Sequence, residues 1–301
     1  MQNAFLFLAT VLIWGATWIA IAMQVGPVPA LVSIFYRFVI AALVVMGALA
    51  VTGRLAAPER RHQPFLVAQA ACLFSMNFIC FYNAAAFVPS GLISVIFSLA
   101  TIYNAVNARI FFGDRVTGRA LVAAALGACG LALLFGRDLL VEFNASTLKG
   151  AGLAALGTMF FSLGNMVSRR NSKAGLSPLI ANAWGMTYGA LFLLALIALT
   201  RTPIVAPPDA RYVWALLFLA IFGSAVAFTT YLLLVERIGS GRPAYATVLF
   251  PIVALSLSTL FEGYRWTWAS ALGLALCLTG NLVMFAPAKF MGKPRSGVGG
   301  A

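Results

Sequence analysis

Ten runs of about 20 apolar residues, joined by breaks too short to fold alone, leave this chain one kind of solution. They lie near 4–23, 30–52, 65–87, 91–110, 117–136, 147–168, 177–199, 211–235, 241–261 and 267–286, and a helix spanning a hydrocarbon core of about 30 Å needs about that length. Hydrophobic residues are 62% of the 301 and charged residues 9%, more apolar surface than a soluble domain covers. The alternation of a barrel strand is absent, so helices are the structure that satisfies the backbone in lipid. The first run has no basic segment before it and no small-residue cleavage site after it, and is expected to stay as a permanent helix.

The chain also repeats itself. Sliding residues 90–135 forward by 150 aligns twelve identities: Ser90, Gly91, Leu99, Ile102, Phe111, Gly113, Arg115, Thr117, Ala125, Leu126, Gly130 and Phe135. Composition alone would supply roughly four. The matches fall at one plan: a Ser-Gly pair before an apolar run, Gly-x-Arg-x-Thr in the break after it, and a glycine at the same depth of the next run. Five helices per unit is an odd number, so the second unit enters the membrane from the other side. The expected fold is therefore an all-α integral membrane protein of ten transmembrane helices in two inverted five-helix repeats. The expected boundaries are 1–136 for the first repeat, 137–146 for a linker, 147–286 for the second repeat and 287–301 for a disordered cytoplasmic tail. Inverted repeats are common in secondary transporters, whose site lies near the midplane between the halves.

A net charge of +13 could suggest a nucleic-acid partner, but its distribution follows the loops. With the N-terminus inside, 14 Lys and Arg fall on the inner side and five outside, and Arg37 within helix 2 completes the 20. The positive-inside rule then puts both termini in the cytoplasm, with membrane lipid rather than nucleic acid as the charged partner. Cys72, Cys80, Cys129 and Cys277 all lie inside predicted helices and read as small packing residues. No disulfide framework, metal or cofactor is expected.

Polar and aromatic residues mark a candidate cavity. Helix 1 carries Trp14 and Trp18 on one face, either packed or lipid-facing aromatics or a cavity wall, and helix 6 echoes them with Phe161 and Asn165. Asn77 and Tyr82 on helix 3, Tyr103 on helix 4, Tyr231 on helix 8 and Tyr245 on helix 9 complete the proposed lining. Arg37, about 10 Å into helix 2 at 1.5 Å per residue, is read as a structural anchor, a lipid contact or a functional cation. Pro251, in the middle of helix 9, is the expected bend, with Gly91 and Gly241 as further points of flexibility. Helices 5 and 10, rich in Ala and Gly, suit a scaffold or a dimer contact. Monomer and homodimer both remain open.

The seven acidic residues and the single histidine, His62, fall in loops or at helix ends. A buried titrating group for direct proton coupling is missing, as are the catalytic pairs an intramembrane enzyme would need. Rings, amides and hydroxyls suit a modest amphipathic metabolite, with a lipid carrier or flippase and a lipid-processing enzyme as competing classes.

Trp14-Gly15 in helix 1, Arg37-Phe38 in helix 2, Pro89-Ser90-Gly91 opening helix 4, and Phe112-Gly113-Asp114-Arg115 before helix 5 resemble, in that order, the drug/metabolite transporter superfamily in its EamA-domain form. The resemblance spans essentially the whole chain and is nearest to its exporters of aromatic amino acids. It implies outward transport of amino acids, amphipathic drugs and related metabolites by alternating access, in the inner membrane. The family's Gly-Glu-Arg is Gly113-Asp114-Arg115 in the first half and Gly263-Tyr264-Arg265 in the second, which loses the acid.

Overall fold

A computed structural model describes residues 2–140, 144–228, 230–231 and 246–285. Among these there is no strand, only an isolated bridge between Val25 and Val28 in the first turn. Seven helices are long and apolar enough to cross a membrane. They comprise α1 (Gln2–Ala22), α2 (Ala30–Val51), α3 (Arg60–Ala84), α4 (Ser90–Phe112), α5 (Gly118–Leu140), α6 (Ala145–Lys173) and α7 (Pro178–Thr200). Three shorter apolar helices follow: α8 (Ala210–Val226), α9 (Ala246–Phe261) and α10 (Trp268–Phe285).

Local chemistry explains most of the ends. Pro29 and Pro89 precede α2 and α4 with ψ of 137° and 140°, extended values that a proline ahead of a helix readily adopts. Gly113 stops α4 with a φ of 70°, and Gly263, 150 residues later, has 69°; a residue with a Cβ is strained there. α5 runs on to Leu140, and α6 begins at Ala145 because the Asn144 side chain accepts from the Ser146 and Thr147 amides.

Two helices depart from regular α geometry. α3 widens to a π-helical turn at Cys72–Met76 and α8 at Phe218–Val226, a distortion that frees carbonyls and often accompanies function. In α8 the Ser224 hydroxyl donates to the Leu219 carbonyl five residues back.

Among the described residues α5 and α10 pack closely along their length. Cβ atoms added at Gly130 and Gly273 would each come within 2.6 Å of the other's carbonyl oxygen, and one at Gly280 within 2.9 Å of the Ala123 carbonyl. Adding 150 to Ala123 gives 273 and to Gly130 gives 280, so the first contact returns as the second. The larger pairings show similar pairs: α1 packs on α9 and α6 on α4, while α2 packs on α8 and α7 on α3. One buried cluster joins α1, α2, α3, α7 and α8; another joins α1, α3, α4, α5, α6, α9 and α10.

Candidate functional site

Half-buried against the second cluster is Phe97, seven residues into α4 and on the face shared with Ser94 and Thr101 at helical spacing. Around its ring are Phe161 of α6 at 4.7 Å, Trp18 of α1 and Phe81 of α3 at 5.4 Å each, and Phe250 of α9 at 5.7 Å between centroids. Five helices thus meet in one aromatic cage. Trp14, one turn earlier in α1, faces the residues just past α8, with Tyr231 at 5.2 Å and Phe228 at 5.8 Å. Of the residues singled out in the sequence, Trp18 and Phe161 come together through Phe97, and Trp14 and Tyr231 form a second aromatic pair. Phe97, Phe81 and Phe250 were not among the proposed lining; for Phe97, its place three residues from Ser94 and four from Thr101 was the available signal.

Several of the helix amides are occupied by one another or by a hydroxyl of a neighbouring helix. Asn165 donates to Asn104 (3.3 Å), Asn107 to Ser162 (2.9 Å), Asn171 to Gln69 (2.9 Å) and Gln69 to Asn182 (3.4 Å). These are bonds between helices in an environment with little water to compete. Asn77 is buried, and its side-chain oxygen has no partner. Tyr103 is partly buried against the second cluster. Tyr82 is fully buried and donates its phenolic hydrogen to Gln24 at 2.7 Å. Tyr245 and Gly241 lie outside the described residues.

α9 runs as one helix through Pro251, whereas α4 is interrupted at Leu99, whose ψ of 0° separates Ser90–Ser98 from Ala100–Phe112. The cause is a set of competing side-chain bonds. Ser94 and Ser98 each donate to a carbonyl three residues back, which draws the backbone off the α ladder. Asn281 of α10 then bridges the break, accepting from Thr101 (2.7 Å) and donating to Ser98 (3.2 Å). Gly91, expected to lend flexibility, is a close-approach residue: an added Cβ would meet the Leu255 Cα at 2.8 Å.

Two polar ties lie at the ends of α4. At its start the Glu262 carboxylate accepts from the Ser90 amide (3.1 and 3.2 Å) and hydroxyl (2.7 Å), where the helix dipole favours an anion. Past its other end Asp114 meets Arg169 of α6 in a two-pronged pair at 2.6 and 3.2 Å, and the same guanidinium lies over Phe112 at 4.3 Å. Hydrogen bonds from Arg169 hold the Asp114 carboxyl below its ordinary pKa. No group of three or more His, Cys, Asp or Glu that could hold a metal occurs among the described residues.

The family model described as "EamA-like transporter family" matches residues 1–136 and 148–286. The chain is 24% identical over 293 residues to a protein of Escherichia coli (strain K12) named "Probable amino-acid metabolite efflux pump", covering 93% of each. It is 25% identical over 262 residues to "Uncharacterized inner membrane transporter YedA" of Escherichia coli (strain K12), covering 85% of this chain and 81% of that one. A solved structure titled "Crystal structure of protein" has a TM-score of 0.67 at 20% identity, over 94% of this chain and 96% of that one, a likeness of fold.

Proposed function

Because the chain belongs to the EamA-like transporter family, we propose that it exports amino acids, aromatic ones preferred, with related amphipathic metabolites and drugs, across the inner membrane. Two inverted five-helix halves alternate access to the cage around Phe97. The observation that carries this reading is that cage: five rings from five helices, half of their contacts edge to face and the rest tilted or stacked. Each ring pair is worth about 1 kcal/mol beyond its burial, so an incoming aromatic side chain replaces contacts of equal kind at small cost. The Leu99 break beside Phe97 offers a place for α4 to bend as the cage opens. A relative named as an amino-acid metabolite efflux pump and another named as an inner membrane transporter support the substrate class and the location. The reciprocal α5–α10 contacts support the inverted arrangement.

Proteoliposomes loaded with labelled phenylalanine or tryptophan test this directly. Wild-type protein is expected to release both faster than empty liposomes, and Phe97→Ala to slow release of the aromatic substrates at least tenfold while slowing alanine less. Flux equal to that of empty liposomes for a full amino-acid panel would remove the reading. Cysteines placed at Asp114 and Tyr264, in otherwise cysteine-free protein, are expected to react with an impermeant maleimide from opposite sides of the membrane. Labelling from one side would rule out the inverted arrangement.

A further inference from the structure

Arg37 is the only Arg or Lys that is buried among the described residues, 2% exposed and seven residues from the start of α2. A guanidinium has five N–H donors and one full charge to place. Its Nε donates to the Ser224 hydroxyl at 3.2 Å, while Ser224 passes its own hydrogen to Leu219, so this partner is neutral. The Phe78 ring lies 4.3 Å from Cζ and the Phe38 ring 5.5 Å. Ring faces soften the field of the cation, but they do not cancel it. Nη1 is buried and has no acceptor, and among the described residues no carboxylate lies within ion-pair distance of Arg37. The buried side chain is covered by protein.

A second donor waits close by. Tyr82 stands beside the guanidinium and donates to Gln24 Oε1, which leaves Gln24 Nε2 buried and also without an acceptor. Two donor groups gathered on one phenol, with one uncompensated positive charge between them, call for a ligand with two oxygens and one negative charge. A phosphate dianion would call for further buried cations, which the described residues lack. The site is also continuous with the cage, since Phe78 packs on Phe81 at 6.3 Å and Phe81 on Trp18 at 5.2 Å.

We infer that Arg37, with Gln24, binds the carboxylate of the transported solute while the cage takes its side chain. This rests on the amino-acid reading given above and adds to it a residue that sets specificity for the acid. A carboxylate accepts two parallel bonds from an arginine fork, and lysine supplies the charge without the fork.

The test uses purified full-length protein in detergent and follows thermal stabilisation by matched pairs: phenylalanine against phenylalaninamide, and hydrocinnamate against hydrocinnamide. Wild-type protein is expected to respond to each acid at concentrations at least tenfold lower than to its amide. Arg37→Gln brings the two within twofold, and Arg37→Lys falls between. Equal responses of wild-type protein to acid and amide would overturn the proposal, as would an equal weakening of both by Arg37→Gln, the mark of a structural anchor. If Arg37→Gln does not fold, the wild-type acid-to-amide ratio and Arg37→Lys still decide. If hydrocinnamate shows the Arg37-dependent preference while phenylalanine is not bound, the acid site stands and the amino-acid reading falls. Displacement of the bound acid by phosphatidylglycerol, in an Arg37-dependent way, would give the site to lipid and overturn the proposal.

Discussion

The α5–α10 pair and the aromatic cage are both places where the two family-matched segments of the chain meet, and they are built on opposite principles. In the first, backbones touch. Gly130 and Gly273 sit on each other's carbonyls, and the Cys277 thiol lies 3.8 Å from the Gly127 carbonyl, 150 residues away. In the second, large side chains fill the space and the segments differ: α4 is broken at Leu99 with Thr101 beside the break, while α9 carries Pro251 at the matching place and stays continuous. A backbone contact accepts any sequence that is small enough, so it keeps the repeat visible. A side-chain site has to suit its ligand, and there the two copies have diverged.

Substitutions sharpen this contrast. The largest effect on stability is expected at the backbone contact. In Gly130→Val the new Cβ meets the Gly273 oxygen at 2.6 Å, and a carbonyl held by its own helix does not give way as a side-chain tip does. Overpacking of this kind costs about 3 kcal/mol, enough to lose most of the monodisperse protein in detergent. A variant that melts within a degree or two of wild type would show the contact to be looser than described.

An intermediate effect is expected where the two regions adjoin. Asn281→Ala removes the bridge over the Leu99 break and leaves the Thr101 and Ser98 hydroxyls one partner short, at a cost of about 1 kcal/mol for bonds of this kind between membrane helices. Faster hydrogen exchange confined to residues near Leu99 is the expected signature. Unchanged exchange there would mean that Ser94 and Ser98 alone maintain the break.

The smallest effect belongs to the Asp114–Arg169 pair, which is solvent-exposed. Because Arg169 lowers the folded-state pKa of Asp114, any stabilisation is in full force above the unfolded carboxylate value of about 3.9. It is lost as pH falls below that, through the depressed folded value. The difference in melting between wild type and Asp114→Asn should therefore stay constant from pH 8 to pH 5 as far as this pair is concerned. A difference that grows across that range would point to another titrating partner.

Much of the fold was legible beforehand. The seven long helices lie within a few residues of the expected runs, and α4 ends at the Gly113 that the repeat had marked. The site was legible in part. Trp18 and Phe161 belong to the cage, but its central ring, Phe97, looked like one apolar residue among many in a chain with 24 phenylalanines. Pro251 carries the strongest local signal for a bend, whereas the break in α4 comes from serine hydroxyls and an asparagine 180 residues downstream, which no local pattern marks.

Run length, the spacing of glycines and the 150-residue echo are determined by the sequence alone, because a backbone in lipid satisfies its hydrogen bonds within each helix and needs only local information to do so. Whether Asn104 meets an acceptor or a neighbour's amide, and whether Arg37 meets a carboxylate or only Ser224 and two rings, is decided by which distant helix comes alongside. Polar partnership between helices is a property of packing, and packing exists only in three dimensions.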